Sequence, residues 1–194
     1  YAAGAVQPGD EDDYFQSSLF TIARRRILWL LILVLANGLT TKVIAMNDQI
    51  LKEIVLLAAF IPLLIGTGGN VGAQSSTVVI RGLSTQKLKS LGAVKAVVKE
   101  AITGALLGVL MMLVVFPFAW WQGEGPLIAS AVGISLISIT TLAATTGAIL
   151  PLLFDKMRLD PALMSSPFIT TVTDIAGVFI YLNTAKWLLS SSLT

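Results

Sequence analysis

Cysteine and histidine are both absent from the 194 residues. The first absence removes disulfides and thiolate metal sites. The second removes imidazole ligands and every histidine-based nucleophile or acid–base pair. A metal ion bound by this chain must therefore sit among oxygens, which suits hard cations such as magnesium or calcium. Charge is scarce too: 12% of residues are Asp, Glu, Lys or Arg, against about 25% in an average soluble domain. A formal net charge of +2 is too small to point to nucleic acid as a partner.

Apolar residues fill the space that charge leaves. They make up 55% of the chain, and the mean hydropathy is strongly positive. The hydrocarbon core of a bilayer is about 30 Å thick, so a spanning helix needs roughly 20 mostly apolar residues. Runs of that kind cover residues 27–46, 54–83, 101–121, 127–154 and 167–189. They predict an all-α membrane protein with five transmembrane helices, its membrane domain occupying residues 27–190. Residues 1–14 read as a polar tail with the acidic cluster Asp10-Glu11-Asp12-Asp13. Residues 15–26 read as an amphipathic helix on the cytoplasmic membrane surface. The stretch Gln122-Gly123-Glu124-Gly125-Pro126 reads as a loop.

Basic residues set the expected orientation, because cytoplasmic flanks hold the excess of Lys and Arg. Alternating the loops puts Arg24, Arg25, Arg26, Arg81, Lys87, Lys89, Lys95, Lys99, Lys156 and Arg158 on one side. Only Lys42, Lys52 and Lys186 of the thirteen fall on the other. The expectation is a multi-pass protein of the inner (plasma) membrane with a cytoplasmic amino terminus and an extracytoplasmic carboxyl terminus. Trp29, Trp120, Trp121 and Trp187 all fall near span ends, where amphipathic rings prefer to sit.

Within the apolar runs, the informative residues are the polar ones. Asp174 lies inside the fifth run, where an aspartate costs about 2.5–3.5 kcal/mol on insertion scales. Pro167, Thr170, Asp174, Gly177 and Tyr181 share its helical face. Gly66, Asn70, Gln74, Thr77 and Arg81 form a second polar face in the second run. Pro62 and the Gly66-Thr67-Gly68-Gly69-Asn70 string predict a break in that helix, with freed carbonyls turned into a cavity. Ser135, Ser138, Thr141 and Thr145 form a milder stripe in the fourth run. That stripe, Gly68-x-x-x-Gly72 and Gly104-x-x-x-Gly108 also fit plain helix packing.

Pro62-Leu63-Leu64-Ile65-Gly66-Thr67-Gly68-Gly69-Asn70-Val71-Gly72-Ala73-Gln74-Ser75 resembles the second-helix signature of the MgtE magnesium channels. Val78-Val79-Ile80-Arg81-Gly82-Leu83 extends the match. Lys99-Glu100, Gly147-Ala148-Ile149-Leu150-Pro151 and Leu159-Asp160-Pro161-Ala162-Leu163 are similar to later stretches of the same domain. Thr170-Thr171-Val172-Thr173-Asp174-Ile175-Ala176-Gly177 resembles its fifth helix. The likeness covers about residues 15–190. It implies a symmetric homodimer of five helices per subunit with one pore on the two-fold axis.

In that resemblance Asp174 is the pore carboxylate, and Mg2+ is the transported and pore-bound ion. Asn70, with backbone carbonyls at Gly66 and Gly69, lines the same passage, and Thr170 takes a pore-facing position. Gln74, Thr173 and Gly177 are further pore-lining candidates, and Asp160 marks a second, cytoplasmic-side metal position. Mn2+, Co2+, Ni2+ and Ca2+ are further candidate ions, and membrane lipid is the surrounding partner. Family members carry an acidic helical domain and paired CBS domains ahead of the membrane part. This sequence has neither, so the expectation is a pore domain without the usual magnesium feedback. Two other readings remain open from the residues: a carrier exchanging a divalent cation for Na+ or H+, and a structural membrane subunit. An aspartyl protease needs two close carboxylates, and only Asp174 lies at membrane depth.

Overall fold

The computed structural model describes residues 18–85, 88 and 92–190, and all of their regular structure is helical. The tail read over 1–14 lies outside the described residues, as do residues 15–17 of the expected surface helix. Helix α1 spans Leu19–Ala45 and is followed by a short α2, Asp48–Glu53. The long helices α3 (Leu56–Ser84), α4 (Ala93–Ala119), α5 (Gly125–Lys156) and α6 (Pro161–Ser190) complete the fold. Residues 19–26 and the first apolar run share one uninterrupted helix.

Among the described residues, α3, α4, α5 and α6 are long and apolar enough to cross a membrane. Even α4, with 27 residues, is about 40 Å long at 1.5 Å per residue. The apolar stretch of α1 is shorter, Leu30–Ala45, so four helices meet the criterion where five were expected.

α5 is the hub. It is apolar on nearly every face, and its buried residues run from Ile128 to Phe154. A helix of that kind belongs in the middle of a bundle. α3, α4 and α6 pack around it, while α1 leans mainly on α6. Lipid supplies no hydrophobic drive between helices, so close backbone packing must hold them. Two glycine contacts provide it. A Cβ on Gly147 of α5 would run into the carbonyl oxygen of Gly72 on α3. A Cβ on Gly104 of α4 would sit 2.5 Å from the Thr140 carbonyl oxygen of α5. The glycine spacings that fitted packing do pack.

The expected break in the second span is absent. α3 is one continuous helix from Leu56 to Ser84, with Pro62 inside it. Pro62 removes a single backbone bond and stands on the exposed face. Surrounded by hydrocarbon or protein, the backbone has no better partners than its own carbonyls, so the helix persists. The Gly66-Thr67-Gly68-Gly69-Asn70 string does not interrupt it either. Gly68 sits opposite Ile139, whose Cγ2 would be 2.8 Å from an added Cβ.

A second difference lies between α4 and α5. Trp120–Glu124 winds as a π-helical turn, where a loop was expected, and passes straight into α5. Gly125 makes the reversal with φ 73° and ψ 167°, a conformation essentially confined to glycine. Its extended ψ is also what the following Pro126 requires. α5 closes at its other end in a Schellman turn. The Leu159 N–H donates to the Phe154 carbonyl (2.9 Å) and the Arg158 N–H to that of Asp155 (3.0 Å). Arg158 takes the left-handed position with φ 60°, where glycine is usual.

Candidate functional site

The face of α3 away from the bundle carries the polar residues. Leu57, Leu64, Gly68, Val71, Gly72, Ser75 and Val79 are buried against the other helices. Pro62, Gly66, Asn70, Gln74 and Thr77 are exposed. Asn70 stands at the midpoint of the 29-residue helix. Thr77 satisfies itself by donating to the Ala73 carbonyl at 2.8 Å. Asn70 and Gln74 make no such bond among the described residues. A bare amide facing lipid at mid-membrane depth is unfavourable. Nothing lies within 4 Å of a Cβ built on Gly66, so the groove beside Asn70 is open.

α6 runs antiparallel to α3 along the edge of this face. Gly69 lies opposite Thr170, whose Cγ2 is 3.8 Å from its built Cβ, and Thr173 faces Gly68. Further along, the buried Tyr181 donates its hydroxyl to the Leu57 carbonyl at 3.1 Å. Asp174, half-buried beside the midpoint of α6, directly follows the Thr173 that faces Gly68 and lies one turn beyond the Thr170 that faces Gly69. Asp174 has no ion pair or hydrogen bond among the described residues. Its carboxylate is therefore free to meet a cation.

The candidates divide into two sets. Gly69 and Thr170 meet across the α3–α6 seam; Gly66, Asn70 and Gln74 lie on the exposed face of α3, and Asp174 lies one turn beyond Thr170 on α6. Thr173 is 1% exposed, and its hydroxyl donates to the Ile169 and Thr170 carbonyls at 2.8 and 3.0 Å. Gly177 is buried against Ile139, whose Cδ1 would lie 3.6 Å from an added Cβ. These two set how closely α6 approaches α3 and α5. Asp160 is exposed and immediately precedes α6, about 21 Å along the helix from Asp174 at 1.5 Å per residue. The structure does not join it to the seam.

Ile139 escaped the sequence reading. It fills the notch between Gly68 and Gly177 and so holds the turn that carries Asp174. An isoleucine in an apolar run carries no signal of that role. In the α5 stripe, Ser138, Thr141 and Thr145 donate to carbonyls four residues back at 3.1, 2.7 and 2.7 Å. Ser135 is fully buried without a partner among the described residues. Among those residues, no group of three or more acidic side chains is placed to hold a metal.

Fold and seam together define a polytopic helical membrane protein that carries a carboxylate and an amide at membrane depth. The chain belongs to the MgtE family: that family's model, described as a divalent cation transporter, matches residues 61–184. It is 37% identical over 166 residues to the magnesium transporter MgtE of Thermus thermophilus, covering 86% of this chain and 37% of that protein. To the magnesium transporter MgtE of Bacillus subtilis it is 34% identical, over 90% of this chain and 39% of that one. The Enterococcus faecalis magnesium transporter MgtE is 35% identical, over 84% and 36%. The chain thus spans well under half the length of the curated relatives it matches.

Proposed function

We propose that this chain is the membrane domain of a magnesium transporter, a channel passing partly hydrated Mg2+ down its electrochemical gradient. The observation that carries the reading is the open polar strip of Asn70 and Gln74 at mid-membrane depth, bordered by the unpaired Asp174. Such groups are stable in a bilayer when they face water, a cation or a second polar surface. A second copy turned about a two-fold axis meets all three needs. The strips then face each other across a pore, and each subunit supplies one Asp174. The relatives' printed names support magnesium as the ion.

The chemistry suits that cation. Magnesium dehydrates reluctantly and is commonly held through water by one or two carboxylates. Two Asp174 side chains offset its charge without forming an all-protein cage. Asn70 and Thr170 accept from the ion's water shell, and the Gly66 and Gly69 carbonyls, already bonded within the continuous α3, add a second acceptance where no side chain covers them. Contact through water stays weak enough for the ion to leave. In this reading α1 supplies the fifth span, and the basic flanks place the amino terminus in the cytoplasm. Asp160 then sits at the cytoplasmic mouth. Mn2+, Co2+, Ni2+ and Ca2+ are the competing ions.

Divalent-cation influx into proteoliposomes tests the reading, comparing the wild type with Asp174→Ala. The expected result is influx in the wild type and its loss in a variant that remains helical and dimeric. Equal influx in both would move the ion path away from the seam. Influx that needed an imposed Na+ or H+ gradient would replace the channel with a coupled carrier.

A further inference from the structure

A cavity of about 820 Å³ opens where the carboxyl ends of α3 and α5 meet the start of α4. That volume lies in the range of ligand sites, roughly 300–1,000 Å³. It lies away from the Asn70–Asp174 seam, and the transport reading makes no use of it. Its lining combines apolar Leu88, Ile149 and Leu153 with polar Ser84, Asp155 and Lys156. The order is not random. Along α5, apolar residues 149 and 153 precede charged residues 155 and 156, so polarity rises toward the end of the helix. Ser84 is likewise the last residue of α3.

The cavity is open to the side because α3 and α4 barely touch. α5 is buried along most of its length, yet Ile149 and Leu153 are 44% and 46% exposed. They mark the place where the hub lacks a neighbour. Lys156 has no ion pair among the described residues. Lys95 and Lys99 add positive charge in the first two turns of the adjacent α4, and both are exposed. An apolar trough whose charged end carries Lys156 beside Asp155, with the exposed Lys95 and Lys99 of α4 tipping the local charge positive, reproduces the polarity profile of one anionic phospholipid.

We propose that this cavity binds one anionic glycerophospholipid from the leaflet on the basic side of the bundle. An acyl chain lies over Ile149 and Leu153, and the phosphate sits at Lys156. A docked protein segment would not need a polarity gradient aligned with the bilayer normal, whereas a lipid does. The site would tie occupancy to the seating of α3, whose carboxyl end forms one wall.

Native mass spectrometry of the detergent-solubilised chain tests this, with added phosphatidylglycerol or phosphatidylcholine. The wild type should retain one phosphatidylglycerol per chain, with at least a several-fold preference over phosphatidylcholine. Ile149→Trp and Leu153→Trp both fill the trough from exposed positions, and each should lose the adduct while keeping wild-type helical content by circular dichroism. Lys156→Gln should keep a lipid but lose the headgroup preference. Glycerol phosphate, which has the headgroup chemistry without the chains, should not compete. The proposal is overturned by a wild type without an adduct or without the preference. Equal retention in both tryptophan variants, or displacement by glycerol phosphate, also overturns it.

Discussion

Replacing Gly147 with alanine tests the packing on which the seam rests. The new methyl would meet Gly72 on α3, overlapping its carbonyl oxygen and lying 3.1 and 3.2 Å from its carbonyl carbon and Cα. These are backbone atoms, which cannot rotate out of the way as a side chain would. α3 has little room to shift, because Ile169 of α6 and the Ala143 carbonyl of α5 already fill the space a Gly72 side chain would need. Overpacking a tight core costs about 1–3 kcal/mol. With rigid backbone as the obstacle, we expect the upper part of that range, about 2–3 kcal/mol, a roughly 30- to 150-fold shift in the folding equilibrium. Gly66→Ala is the matched control. An added Cβ there meets nothing within 4 Å, and alanine is favoured over glycine inside a helix by about 1 kcal/mol. It should leave stability unchanged or raised. Titration of both proteins with dodecyl sulfate in mixed micelles, followed by far-ultraviolet circular dichroism, gives the comparison. If Gly147→Ala unfolds at or beyond the wild-type midpoint, or Gly66→Ala is the weaker protein, the packing account is wrong.

Other substitutions probe other contacts. Tyr181→Phe removes the bond to the Leu57 carbonyl and should cost about 1 kcal/mol in the same titration; no change would mean that carbonyl gains nothing from the phenol. Arg158→Gly relieves a left-handed residue and should stabilise by about 1 kcal/mol. A loss of stability there would show that the arginine side chain contributes more than its backbone costs. Gly125→Ala should destabilise by about 1–3 kcal/mol, because φ 73° with ψ 167° excludes a side chain. Asn70→Leu should leave the folding midpoint in place and cut magnesium influx about tenfold, since hydrogen bonds to charged species carry about 1.5–3 kcal/mol. Unchanged influx would remove Asn70 from the ion path.

The sequence revealed most about the features that the membrane itself enforces. Hydrocarbon thickness fixes the length of an apolar run, so α3 to α6 could be read directly. Helical periodicity placed Gly66, Asn70 and Gln74 on one face, and that face is the exposed one. Periodicity does not say what a face meets, however. Gly177 and Tyr181 share the face of Asp174 by periodicity, and the family resemblance added Thr173 as a lining candidate, yet all three are buried against neighbouring helices. Pro62 read as a breaker from its usual effect in water, where freed carbonyls have an alternative partner. The π-turn at Trp120–Glu124 was hidden because glycine and proline mark any reversal, tight or loose. The Gly72–Gly147 contact joins residues 75 positions apart, and nothing local predicts it.

The attachment of α1 has a consequence for the order of assembly. Synthesis from the amino terminus makes α1 before α2 to α6, yet its main neighbour is α6, the last helix described. Synthesis therefore delivers α4 and α5 as a tightly turned hairpin, able to pair as soon as both have emerged, while α1 waits in the lipid for a mate. Contacts so distant along the chain form late, because closing the loop between them costs entropy. Of the helices described, the earliest made is the last to be seated, and loss of α6 would strand it.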